Sequence, residues 1–338
     1  MKKYSNLSRA ICAEKRSRKH SFHFKWARML SLLCFIVICM VLFSSCSGIS
    51  AFSSFKAGES PADSLPQPAP YDGISYHSAV TLYYCYLDSD MLVPVETNIK
   101  MSSNERPEIT ILRALLSRVA LEDIYSSKIP KEAKLVNMVT SGETLFVTMS
   151  REFIDSDFYS DSSDIQTAVC QIVNTLSCYG DFDVQIMIDK SGDGSGDRVS
   201  YTELGFDSSY DEKYDYAASF SFMDDMVATP SSILEFVLYR LSSSDYDILC
   251  PVFSTAPRRN GALKSELDKL HSKYEITAVT VQNEIVYQDN AKVICKIEYI
   301  YRETGREFSF FGGISLSRYQ SCYKVDYEDV FELYGGED

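Results

Sequence analysis

Between residues 129 and 176 the hydrophobic pattern changes period once. Residues 134–139 and 145–150 are two runs rich in β-branched and apolar side chains on either side of Ser141-Gly142, the pattern of a β-hairpin. Leu145, Val147 and Met149 fall on one face, which predicts a half-buried strand. After an acidic Ser/Asp loop, Ile165, Val169, Ile172, Val173 and Leu176 recur at helical spacing, with Asp161 to Ser163 as N-cap candidates.

Upstream, residues 80–86 and 91–99 read as two strands joined around Asp88-Ser89-Asp90. Asn104, Glu105 and Pro107 start a helix whose expected buried stripe is Ile109, Leu112, Leu115, Leu116 and Val119. Downstream, Val184, Ile186 and Ile188 alternate in a further strand. These elements predict helices packed on one face of a small sheet, an α+β layer. From residue 231 a second α+β unit is expected. It opens on a Ser232/Glu235 capping box with Ile233, Val237 and Leu241 on one face. A helix near residues 260–272 carries Leu263, Leu267 and Leu270. Strands then alternate through Ala291, Val293, Cys295, Ile297, Tyr299 and Tyr301, and through Phe308, Phe310, Ile314 and Leu316, with a bulge at Gly312-Gly313. Tyr323, Val325 and Tyr327 close the sheet.

The first unit resembles the GerMN domain of sporulation and spore-germination lipoproteins. The likeness rests on Ile129-Pro130 with its basic turn, the Ser-Gly hairpin, Val147-Thr148-Met149-Ser150 ending in Arg151-Glu152-Phe153, and the run from Gln171 to Leu176. It reaches back to about Val80 and forward to about Asp189. Family members carry a Gly soon after the first helix, where this chain has Ser117-Arg118. The second unit more loosely resembles the NTF2-like cone, through Asp289 to Val293 and Tyr323 to Asp326. The GerMN resemblance implies a two-layer fold and a role in sporulation or germination complexes, with no catalytic signature.

The chain's start adds a compartment. Residues 1–28 hold nine basic side chains against Glu14, and an uncharged apolar run from Met29 to Phe43 ends in Ser44-Ser45-Cys46. A basic region, an apolar core and small residues before a break describe a secretory signal. Small residues directly before cysteine resemble the lipoprotein motif, which makes Cys46 the expected acylated residue and mature N-terminus, and places the chain on the cell membrane. Residues 46–75, with Pro61, Pro66, Pro68 and Pro70, read as a disordered tether. The expected divisions are a signal at 1–45, the tether at 46–75, the GerMN domain at 76–205, an acidic interdomain segment at 206–230 and the NTF2-like domain at 231–338.

The 33 basic and 47 acidic residues give a net charge of −14, and removing the signal leaves −22. Such a surface repels phosphate backbones and anionic lipids, so nucleic-acid partners are excluded and membrane association falls to acyl chains. Six cysteines remain beyond Cys46, with no C-x-x-C spacing: Cys85, Cys170, Cys178, Cys250, Cys295 and Cys322. Export permits disulfides between them, although buried free thiols are the plainer expectation.

Chemistry is sparse. Only His77 and His271 survive the signal, and neither belongs to a G-x-S-x-G or H-E-x-x-H arrangement. Asp161/Asp164 and Asp224/Asp225 are carboxylate pairs that read as solvated loop residues. Residues 189–197 imitate half of a calcium loop, but position twelve is Ser200, so a Gly-rich hairpin turn is expected. No catalytic residue, metal or cofactor is therefore assigned. The expectation is a lipid-anchored envelope protein that assembles with envelope or sporulation proteins, or with copies of itself. The alternative is binding or hydrolysis of a small molecule or glycan on the aromatic face formed by Tyr299, Tyr301, Phe308 and Phe310.

Overall fold

Strands β1 (Ser75–Tyr86) and β2 (Leu92–Ser102) pair antiparallel around Asp88-Ser89-Asp90, longer than the pattern implies. The computed structural model describes residues 73–155, 157–243, 247–254 and 260–330. Helix α1 (Pro107–Leu116) starts on its proline and buries Ile111, Leu112, Ala114 and Leu115. The expected stripe is corrected here: Ile109 and Leu116 are half-buried and Val119 is exposed. The reason is termination. Arg118 N–H donates to Leu115 O at 3.0 Å and Val119 N–H to Ala114 O at 3.4 Å, a Schellman closure that turns the chain away. Arg118 holds the left-handed position at φ 56°, where a Gly would be free of strain. Its Nη2 donates to Ile129 O at 2.7 Å, which ties the helix end to the next segment. Strand β3 (Tyr125–Ser126) then adds to the end of β1, giving the order β2-β1-β3.

The hairpin of β4 (Leu135–Ser141) and β5 (Thr144–Ser150) turns through Gly142-Glu143. Gly142 has φ 62°, the positive value a type II′ turn requires at its first central residue. Helix α2 (Ser162–Gly180) crosses over to β6 (Asp183–Asp189), which runs parallel to β5, and β7 (Asp197–Arg198) completes the order β4-β5-β6-β7. Leu145, Val147, Met149, Val184, Ile186 and Ile188 are fully buried, each contributing roughly 1.5–3 kcal/mol. Strand β7 stops after two residues, and a 3₁₀ turn at Thr202–Leu204 follows, where Gly205 bends against the first turn of α2.

Helix α2 is the centre of this part. Asp161 caps it, accepting from the backbone of Ser163 and Asp164. The pattern predicts one buried stripe, yet every residue from Thr167 to Ser177 is buried. Ala168, Val169, Ile172, Val173 and Leu176 enter the apolar core. Gln171 and Thr175 serve β1, which meets β3 only at Cys85 and Tyr86 and would otherwise leave the Tyr83 peptide without partners. Thr175 Oγ1 accepts from Tyr83 N–H at 3.0 Å, and Gln171 Nε2 donates to Tyr83 O at 3.1 Å. Gln171 Oε1 also accepts from Lys128 N–H at 2.9 Å. Side chains thus finish a sheet edge, which keeps buried backbone groups satisfied.

In the C-terminal part, helix α3 (Pro230–Ser242) begins one turn before the expected box. Thr229 is the N-cap and Ser232 its reciprocal partner, because Pro230 occupies the first helical position. Helix α4 (Asn260–Lys273) precedes β8 (Tyr274–Val286), β9 (Asn290–Tyr301), β10 (Arg306–Tyr319) and β11 (Cys322–Val325), an antiparallel meander in the order β11-β10-β9-β8. Strand β8 is absent from the sequence reading because bulges at Ile276/Ala278 and Val281/Asn283 break its alternation. No bulge occurs at Gly312-Gly313, where β10 and β9 stay in register from Arg306 to Ser317. Those glycines instead make room. A Cβ at Gly312 would lie 2.4 Å from the Phe310 ring, and one at Gly313 2.4 Å from Lys292. Tyr327 lies past the last strand. Ile233, Val237 and Leu238 of α3 share one buried cluster with Val293, Cys295 and Ile314, and that cluster continues into the β5–α2–β6 layer. The described residues form a single compact unit.

Candidate interaction surface

The segment at 206–230 is laid along the first part of the molecule. Phe220 and Val184 exchange both backbone hydrogen bonds at 2.8 Å, so the segment continues the β6 edge beyond β7. Asn174 of α2 donates to Met223 O at 2.9 Å and accepts from Met223 N–H at 2.8 Å, using its side-chain amide as a strand would use a peptide group. Val227 bridges to Leu92 of β2. One segment therefore touches both sheets and α2.

Its acids organise tyrosines. The Asp211 carboxylate accepts from Tyr201 N–H, Thr202 N–H and the Thr202 hydroxyl, and the Thr202 hydroxyl bond, the largest cause, holds its pKa below the ordinary value. Asp207 is lowered in the same way by the Ser209 backbone N–H. Tyr201 sits at the hub, with Phe206, Tyr210, Tyr214 and Phe220 rings 5.2–6.2 Å from it. Tyr210, Tyr214 and Tyr216 remain about half exposed, and the Lys213 and Arg198 cations lie over Tyr214 and Tyr216. A shallow hollow of about 460 Å³ runs past Gln185, Arg198, Tyr214 and Tyr216. Held aromatic rings with polar tips are the side chains enriched where proteins meet. Periodicity could not find this surface. The clue in the sequence is tyrosine density in an acidic stretch that lacks linker glycines.

Of the residues singled out for chemistry, Asp161, Asp164 and Asp189 hold local structure in place. His77 is exposed on β1, and His271 lies on α4 with its ring Nδ1 3.4 Å from Leu241 O. Asp161 is the α2 cap. Asp164 pairs with Lys128 at 2.5 Å and accepts from Ser160 N–H. Asp224 and Asp225 lie exposed on a 3₁₀ turn. Asp189 accepts from Gly192 and Gly194 N–H, closing the expected Gly-rich turn between β6 and β7. Among the described residues no His, Cys, Asp and Glu side chains cluster as metal ligands. Cys85, Cys170, Cys295 and Cys322 are buried free thiols, Cys178 is an exposed one, and Cys250 is half-buried. Burial pushes the Cys85 thiol up to about 12, against the opposing pull of the nearby Lys128. On the C-terminal sheet Tyr299 stacks on Phe308 at 5.6 Å, and Tyr274 packs against Tyr299 and Tyr301, so these rings largely pack on one another. Cys46 lies outside the described residues. No helix among them is long and apolar enough to cross a membrane.

The fold and its surface define a class: an α+β protein with a β–α–β core layer and an aromatic outer segment. Residues 81–191, about a third of the chain, match the family Germane, sporulation and spore germination. No curated protein matches the chain. Among solved structures, the tandem GerMN domains of the sporulation protein GerM from Bacillus subtilis are 14% identical, with a TM-score of 0.31, over 45% of this chain and 47% of that one. The chain thus spans about half the length of that structure. A Clostridium perfringens protein described as a candidate lipoprotein is 16% identical, with a TM-score of 0.22, over 34% of this chain and 76% of that one. None of these three matches is to an NTF2-like domain.

Proposed function

We propose that this is a non-enzymatic envelope protein, acylated at Cys46 and held at the cell membrane, that acts in sporulation or germination by docking other envelope proteins. The observation that carries the reading is the match of residues 81–191 to the sporulation and spore-germination family. The tyrosine surface over residues 201–216 supplies the contact area, with its rings braced before any partner arrives. A further part of the proposal is an NTF2-like C-terminal sheet that completes the docking body.

Two experiments test it. Mass spectrometry of the membrane-extracted protein should find a diacylglyceryl-modified Cys46 as first residue, lost in Cys46→Ser. Crosslinking in sporulating cells should recover envelope proteins with the wild-type chain and lose them with Tyr214→Ser/Tyr216→Ser. A deletion strain that sporulates and germinates normally, with no partner recovered, would sink the reading.

A further inference from the structure

Strand β8 ends its sheet, and among the described residues no strand pairs with its outer side. It is 13 residues long, the kind of open edge that natural sheets guard. The core-facing positions show what the edge lacks. On β9, Ala291, Val293, Cys295 and Ile297 are at most 1% exposed, whereas Ile276, Val279 and Val281 of β8 stay half-buried under the same helix layer. The strand carries no lysine or proline. Its two charges are already engaged, Glu275 with Arg302 at 3.2 Å and Glu284 with the Ser231 N–H and hydroxyl. Among the described residues its guards are the two bulges.

The ends of β8 complement each other. At the β8–β9 hairpin tip, Ile285, Val286 and Tyr287 are 41%, 54% and 54% exposed, three consecutive large apolar side chains in solvent. Such a run signals a contact. At the opposite end, Tyr274 stands with Tyr299 and Tyr301 in an aromatic cluster. Two copies of β8 laid antiparallel about a two-fold axis near Thr280 bring residue 286 of one opposite residue 274 of the other. Each apolar tip then covers the other copy's aromatic end. A surface that satisfies itself under a two-fold is the requirement for an isologous dimer.

We propose that the outer edge of β8 pairs with β8 of a second copy, joining two four-stranded sheets into one. The seam itself adds no like-charge contact, because both carboxylates of the strand are already engaged. The pairing does not depend on the docking role proposed above.

The test uses the full chain in density-matched detergent. Sedimentation equilibrium should give a monomer–dimer equilibrium, and Ile285→Lys/Val286→Lys should weaken it at least tenfold with an unchanged circular-dichroism melt. In a Cys178→Ser background, Thr280→Cys should crosslink to itself on mild oxidation, and the tip substitutions should abolish that crosslink. A chain that stays monomeric up to about 100 μM, or a dimer that ignores the tip substitutions, overturns the proposal. So does a Thr280→Cys chain that dimerises but never crosslinks.

Discussion

Replacing Gln171 by Met tests whether buried polar side chains hold the first sheet to its helix. The substitution keeps the length of the side chain and removes all its hydrogen bonding. Gln171 is fully buried, so no water is at hand to substitute. Two backbone groups lose partners, the N–H of Lys128 and the carbonyl of Tyr83. Each orphaned group costs about 1–3 kcal/mol, partly offset because a thioether is easier to bury than an amide. The net expectation is a loss of about 2–4 kcal/mol, or roughly 5–15 °C in melting temperature for a unit of this size. Thr175→Val removes the acceptor for Tyr83 N–H and should cost about 1–3 kcal/mol. Both substitutions strip partners from the backbone of one residue, Tyr83, so the double variant should fall short of the sum. Urea unfolding followed by far-ultraviolet circular dichroism gives the energies. Hydrogen exchange at Tyr83 and Lys128 localises them. Gln282→Met, on the exposed face of β8, is the control. A loss below about 0.5 kcal/mol for Gln171→Met, with those two amides as protected as before, would show that the helix is held by apolar packing alone.

Three further outcomes follow from the same structure. Burial holds the thiols of Cys85 and Cys170 up to about 12 and that of Cys295 up to about 11, above an ordinary 9.0. The folded state therefore keeps protons that the unfolded chain releases. This contribution is complete below pH 9 and is lost as pH rises toward 11–12. Thermal melts across pH 8–11 should fall less steeply for Cys85→Ala/Cys170→Ala, and an unaltered slope would contradict the assignment. At the left-handed residue 118, Arg118→Gly and Arg118→Ala both lose the bond to Ile129 O, but only Ala keeps the strain, so the Ala variant should be about 1 kcal/mol the less stable in urea. Equal stability would refute the strain. Asn174→Ala releases both bonds to Met223 and should speed proteolysis within residues 206–230 severalfold while β4–β6 stay protected. A cleavage rate equal to wild type would mean that the backbone pairing at Phe220 suffices.

The hairpin at Gly142, the crossover helix, the alternation in β6 and β9 and the Gly-rich turn after Asp189 were all legible in the chain. Their causes are local: side-chain period, turn residues and caps lie within a few positions of one another. The helix sequence also carries a sign of its polar contacts. Thr167, Gln171, Asn174 and Thr175 recur at helical spacing with no Lys, Arg or Glu among them, and an exposed face would carry such charges. What that polar stripe touches was decided only in three dimensions, because the peptide of Tyr83 lies far away in sequence and lacks a partner only through the short reach of β3. The same holds for β8, whose bulges hide its period, and for Arg118, whose left-handed backbone is held by a carbonyl eleven residues on. Sequence patterning selected the elements and the buried apolar faces. Tertiary packing selected which polar groups complete them, because a hydrogen bond that closes a sheet edge depends on where two distant segments meet.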